Sequence, residues 1–227
     1  MRRIVLLRQN RLVIAVTGAS GSLYAEALTL RSLQAGIPTY LVFSPTAEKV
    51  IRTEIPRSLI AAVTGSKRRA GFESDPELSE VAAKLELKPE HLANLKTFAH
   101  DDLYSPIASG SLGASHMVVV PASMGSLARI AAGMSGNLIE RCADVMLKER
   151  RPLVIVPRET PLNLIHLQNM TTLLQAGARI VPAMPGFYYQ PRSIADIANF
   201  MTERICEQIG IEALSAANQL HWNAARL

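Results

Sequence analysis

Cysteine is nearly missing: Cys142 and Cys206 are the only two in 227 residues, and they sit in no CxxC or Cys/His pattern. A disulfide framework and a structural zinc site are thereby excluded, and a reducing cytoplasm is the expected compartment. Aromatic residues make up only 5% of the chain. The one dense basic run, Lys67-Arg68-Arg69, is followed closely by Glu73, Asp75, Glu77 and Glu80. A nucleic-acid face needs an unbroken basic stripe with aromatic platforms, so the net charge of +5 does not point to one. The run reads as a solvated loop, and anionic small molecules are the better partners. No apolar run approaches the roughly 20 residues that span a bilayer, so no membrane partner is expected. Met1 to Asn10 is basic and apolar but too short for a signal peptide. Acidic doublets are also scarce: Asp101-Asp102 stands alone, and there is no DDxxD magnesium motif.

The composition is that of one well-buried domain, 48% hydrophobic against 19% charged. Short β-branched runs at Arg11–Thr17, Pro38–Phe43, Met117–Val120, Leu153–Val156 and Arg179–Val181 read as buried parallel strands, two of them halted by Pro121 and Pro157. Helical spacing lies between them at Ser20–Gly36, Thr46–Glu54, Met124–Gly133, Ser135–Glu149, Pro161–Ala176 and Ser193–Ile209. Alternation of this kind predicts an α/β fold with a doubly wound parallel sheet, as a single domain over 1–227. A charged insertion of one or two small surface helices is expected at about 64–97, and a C-terminal tail from about 210. Ligands of such a fold bind at the carboxyl ends of the strands, which directs attention to the turns.

The first turn, Gly18-Ala19-Ser20-Gly21-Ser22, offers close backbone approach and free amides at a helix start, and these suit an anion. Its spacing is neither GxGxxG nor a P-loop. Ser44-Pro45 follows the second strand, where a serine N-cap is the simpler reading. Pro121-Ala122-Ser123-Met124-Gly125-Ser126 supplies two hydroxyls and several amides. Pro157-Arg158-Glu159-Thr160-Pro161 places an arginine and a carboxylate together at a strand end between prolines. Arg141 and Lys148 share a helix face, with Glu140 and Asp144 near enough to pair with them. Tyr188-Tyr189, in a loop rich in glycine and proline, either stacks on a planar ligand or packs the loop. Small residues such as Ala128, Ala131, Ala132 and Ala143 recur on the helices.

In order along the chain, GASGS, Ser44, ASGS at 108–111, PASMGSLARIAAG, NLIERCADVMLKERRPLVIVPRETPL and PGFYYQPRS strongly resemble the flavin prenyltransferase family. This is the UbiX group of the flavin-dependent cysteine decarboxylase-like superfamily. The likeness covers about residues 11–210 apart from the charged segment, and it is most specific over Asn137–Pro161. It implies transfer of a dimethylallyl group from dimethylallyl monophosphate to reduced FMN, with bonds at the central-ring nitrogen and the adjacent benzenoid carbon. The product, prenylated FMN, serves UbiD-type decarboxylases. The resemblance implies FMN contacts at Gly18, Ala19, Ser20, Ser44, Ser123, Met124, Gly125, Ser126 and Arg158. It implies donor-phosphate contacts at Lys148, Arg158, Tyr188 and Arg204, with Arg141 nearby. Glu159 matches the carboxylate that handles protons, and Glu54 a second acidic residue near the donor. Glu159, Glu54, Arg141 and Lys148 are thus the expected catalytic set. No metal is implied, since fixed Arg and Lys donors can stabilise a monophosphate leaving group. A homododecamer with sites at subunit junctions is also implied.

The sequence departs from many members at Gly125-Ser126, where lysine and threonine are common, and at Tyr189-Gln190, where histidine and arginine are common. Trp222 is a candidate lid residue. An FMN-dependent cysteine decarboxylase would carry a PxMNxxMW-like motif where SMGSLAR stands, and an early histidine, whereas the first histidine here is His91. A non-catalytic FMN-binding subunit would not need Lys148, Arg158, Glu159, Tyr188 and Arg204 together.

Overall fold

A computed structural model describes residues 10–64, 76–111 and 113–215. Lys67–Arg69 and Trp222 lie outside the described residues. In chain order the elements are β1 (Leu12–Val16), α1 (Ser22–Gln34), β2 (Thr39–Phe43), α2 (Pro45–Glu54), α3 (Leu59–Val63), α4 (Pro76–Lys84), α5 (Pro89–Leu92) and β3 (Leu95–Phe98). Then come β4 (His116–Ala122), α6 (Met124–Ala131), α7 (Leu138–Lys148), β5 (Leu153–Pro157), α8 (Leu164–Gln175), β6 (Arg179–Ile180), α9 (Ile194–Ile209) and α10 (Glu212–Ser215). The six strands pair in parallel in the order β3-β2-β1-β4-β5-β6. Strand order reverses between β1 and β4, and this switch point opens a crevice at the carboxyl edge of the sheet.

β1 and β5 are apolar throughout because both of their faces are covered. Alternation along each strand sorts the core into two layers. Val118, Val120, Val154 and Val156 pack with Ala25, Leu28, Ile205, Cys206 and Ile209, so α1 and α9 share one face. Val119 and Ile155 pack with Leu127, Cys142, Val145, Met146 and Leu173, so α6, α7 and α8 cover the other.

Two expectations change here. The segment at 64–97 is more than a surface insertion: its end builds β3, an edge strand registered on β2 from Thr39↔Leu95 to Val42↔Phe98. Four residues, half of them polar, carry too short a period to announce themselves as a strand. The prolines at 121 and 157 do not halt their strands, since β4 runs to Ala122 and β5 to Pro157. A proline costs a strand one donor only, which is tolerable at its last residues. Ala143 belongs to this chain's own core. In the tail, Ile211 and Leu214 are fully packed against the same layer as α9.

Candidate functional site

Three strand ends are tied together at the crevice. Thr17, after β1, donates its hydroxyl to Pro121 O at 2.7 Å and accepts from Ser123 N at 2.7 Å. One buried hydroxyl thereby locks the first turn to the turn that opens α6. Ser123 is the N-cap of α6: its Oγ accepts from Ser126 N at 3.3 Å and donates to Ser126 Oγ at 3.1 Å. Arg158, just past β5, reaches over the end of β4 to donate from Nε to Ser20 O at 3.0 Å. Ser44 caps α2 by accepting from Ala47 N at 3.2 Å, and its own N–H donates to Val16 O.

Gly18 is required by packing. A Cβ there would lie 2.6 Å from Thr46 Cγ2 and 2.7 Å from its Cβ, and a β-branched side chain on the first turn of a helix cannot yield. The helix start beside it is already occupied. Glu54, from the end of α2, accepts from Gly21 N at 3.0 Å and Ser22 N at 2.8 Å. Two of the amides expected at α1 for an external anion, those of Gly21 and Ser22, are therefore filled by a carboxylate of the protein. Burial pushes the Glu54 carboxyl up, but hydrogen bonds from Ser20, Ser22 and Gly21 outweigh this and hold it below the ordinary carboxylate range. At α6, by contrast, Ser123 satisfies Ser126 N, while Met124 and Gly125 N–H stay outside the helix ladder. Of the two helix starts at the switch point, α6 carries no such protein carboxylate on its first amides.

Tyr24 is a site residue that sequence reasoning missed. Its ring would meet a Cβ on Gly21 at 3.0 Å, so it lies against the glycine turn. Burial pushes its phenol up, Arg158 acts against this, and Glu54 adds to it, so all three share one neighbourhood. A tyrosine two residues past GASGS was the available signal.

Glu159 is half-buried beside Arg158, with Oε1 accepting from Thr160 N at 3.0 Å. Tyr189 stacks on Phe200 at 4.8 Å and 5°, and Tyr188 meets the same ring edge-on at 5.8 Å. The loop is thus packed onto α9 by Tyr189, while Tyr188 remains 55% exposed.

The remaining residues do not converge within one chain. Lys148 pairs with Glu149 at 3.6 Å, and Arg204 with Glu207 at 2.6 Å. Arg141 divides between Asp144 at 3.1 Å and Ala108 O at 3.2 Å. Lys148 ends α7, before β5, whereas Arg158 follows β5. The strand between them spans about 17 Å at ~3.3 Å per residue. Arg204 lies on α9, across the sheet from α7. A single phosphate cannot touch Lys148, Arg158 and Arg204 of the same chain. The ASGS segment sits with Lys148 at the amino edge, where Glu149 crowds Gly110 and Arg151 donates to Gly110 O. Among the described residues no group of three or more His, Cys, Asp or Glu is placed to hold a metal, and no helix is long and apolar enough to cross a membrane.

This arrangement suits FMN. The crevice offers exposed Ser20 and Gly125, open amides on α6 and an arginine across its mouth. The Flavoprotein family model matches residues 5–206. The flavin prenyltransferase UbiX of Alkalihalophilus pseudofirmus is 41% identical over 201 residues, covering 88% of this chain and 92% of the relative. The crystal structure of a UbiX in complex with FMN and dimethylallyl pyrophosphate superposes with a TM-score of 0.72 at 34% identity, covering 95% of this chain and all of that one. A dodecameric FMN-dependent UbiX-like decarboxylase from Escherichia coli gives a TM-score of 0.70 at 34% identity, covering 88% and 95%. The turns at the carboxyl edge and these likenesses lead to one assignment: the chain belongs to the flavin prenyltransferase (UbiX) family of flavoproteins.

Proposed function

We propose that this protein joins a dimethylallyl group, delivered as its monophosphate, to reduced FMN and releases prenylated FMN to a UbiD-type decarboxylase. The observation that supports this most is the Arg158-Glu159 pair at the crevice mouth, with Arg158 anchored on Ser20 O. Ring closure at a flavin carbon requires that carbon to lose a proton, and Glu159 is the carboxylate in the turn where a base is needed. Arg158 sits beside it to meet a phosphate. Glu54, holding the α1 amides and hydrogen-bonded to Ser20, keeps the turn in shape and is the second acid of the site. FMN lies over Gly18, Ala19, Ser20 and Ser44 on one side and Ser123 to Ser126 on the other.

The donor half comes from other copies of the chain. Lys148 stands at the amino edge and Arg204 on the opposite face, so an assembly must bring them to a neighbour's carboxyl edge. Their present partners are half-exposed acids. Such pairs are worth little and are readily exchanged for a phosphate. Exposed apolar side chains on α8, namely Leu164, Ile165, Leu167 and Leu174, supply a face for self-association, and a dodecamer is the expected assembly. The test is mass analysis of flavin after anaerobic incubation with FMN, reductant and dimethylallyl monophosphate. A gain of one dimethylallyl unit with loss of the leaving phosphate supports the reading, and unmodified FMN contradicts it.

A further inference from the structure

Beside the flavin turn stands a charged pair that the assignments above leave unused. Arg129, on the second turn of α6, leans back toward the helix start as helical side chains do. Its Nε donates to Glu140 Oε1 at 2.5 Å, and Nη2 donates to Ser126 Oγ at 3.5 Å. Nη1 lies over Gly125: a Cβ built on that glycine would meet nothing within 4 Å except this atom, at 3.7 Å. The guanidinium therefore borders the turn at contact distance, and among the described residues Nη1 has no hydrogen-bond partner.

Glu140 is 3% exposed, whereas Arg129 is 46% exposed. The carboxylate has further support, since it accepts from Gly136 N at 2.9 Å and sits in the first turn of α7. Burial pushes its carboxyl up, and the Arg129, Gly136 and Asn137 hydrogen bonds outweigh this and leave it lowered. The pair is consequently a fixed dipole, its negative end buried and neutralised from several sides, its positive end presented at the Ser123–Ser126 turn. A buried carboxylate gripping Nε leaves the arginine little freedom, so the cation is already in place when a ligand arrives.

We infer that Arg129 is a further flavin-binding residue, positioned by Glu140, that meets an anionic group of the bound flavin at the Gly125-Ser126 turn. This rests on the placement of FMN at that turn given above. Two groups of reduced FMN have the required chemistry, the negatively charged reduced ring and the phosphate.

The experiment measures dissociation constants of the full-length protein for oxidised FMN, reduced FMN and riboflavin, together with the reduction potential of bound FMN. Arg129→Met removes the cation, and Arg129→Met/Glu140→Gln removes it without stranding a buried carboxylate, which guards against a merely unfolded variant. Both are expected to bind reduced FMN about tenfold or more weakly, the size of one charge-assisted contact. If the ring is the partner, oxidised FMN is affected less and the potential falls. If the phosphate is the partner, both oxidation states weaken equally, riboflavin does not, and the potential stays. Ser126→Ala and Arg158→Ala are measured alongside. Weakened FMN binding in these two with wild-type binding of both oxidation states in a folded double variant overturns the role of Arg129. Wild-type binding in all four overturns the placement of flavin at the turn itself.

Discussion

At the carboxyl edge of the sheet the functional side chains hold backbone groups of other segments: Thr17 on Pro121 and Ser123, Arg158 on Ser20, Glu54 on Gly21 and Ser22. At the amino edge, Lys148 holds only its sequence neighbour Glu149, and on α9 Arg204 holds Glu207 one turn away. The first group is bound to a geometry that a single chain completes. The second is held by weak, local pairs that dictate no geometry toward the crevice. On the reading proposed above, the flavin half of the site is a property of the fold and the donor half a property of the assembly.

The sharpest break in that comparison is chemical. Glu159→Gln keeps size and hydrogen bonding but removes basicity, and it is expected to slow formation of the cyclised product by about 10²-fold or more while FMN binds normally. Rapid-quench mass analysis checks this, and a singly bonded adduct building up in the variant identifies the missing proton transfer. A wild-type rate would leave Glu159 only the task of orienting Arg158.

Next in size, Lys148→Ala is expected to weaken donor use by roughly tenfold or more, the value of one charge-assisted contact, with FMN affinity unchanged. Titration of donor and of FMN in parallel separates the two halves, and an equal loss in both would merge them.

Much of the carboxyl edge was legible in the sequence because strand, turn and helix are contiguous there. GASGS, PASMGS and PRETP each follow a buried run, and the doubly wound rule places all three together. The edge strand Leu95–Phe98 was not, since its pairing with β2 is a tertiary fact and its residues LKTF show no clean alternation. Nor was the use of Glu54 as a cap on α1, which joins residues 32 to 33 apart in sequence. A division of the donor set between copies was partly legible, and the resemblance also implied sites at subunit junctions. Lys148 precedes β5 and Arg158 follows it, so chain order alone sets them at opposite ends of a strand. Of the small helix residues Ala143 is core, whereas Ala128, Ala131 and Ala132 stay partly or fully exposed.

Thr17→Val tests whether the flavin edge is as rigid as its bonds imply. It keeps shape but leaves Ser123 N without its acceptor, while Pro121 O retains only the longer bond from Thr17 N at 3.3 Å, a cost of about 1–3 kcal/mol. Denaturant unfolding should show a lowered midpoint with an unchanged slope. The smallest effect belongs to Glu54. Its lowered carboxyl contributes stability that is present above the unfolded value, about pH 4.3, and lost as pH falls through the folded value. Glu54→Gln should therefore be less stable than the parent at neutral pH by about 1 kcal/mol or less, and the difference should close in acid. A gap that widens on acidification would contradict the capping role.

The sharing of one site between copies is tested most directly by mixing two impaired proteins. Arg158→Ala damages the carboxyl edge and Lys148→Ala the amino edge. Co-assembly of the two is expected to create junctions in which an intact Arg158 faces an intact Lys148, about a quarter of all sites for random mixing of two chains with one donor neighbour each. Prenylated FMN formed by the co-assembled mixture well above the mean of the two separate variants is the predicted result. Activity equal to that mean would place Lys148 and Arg158 in the same site of the same chain and contradict the account.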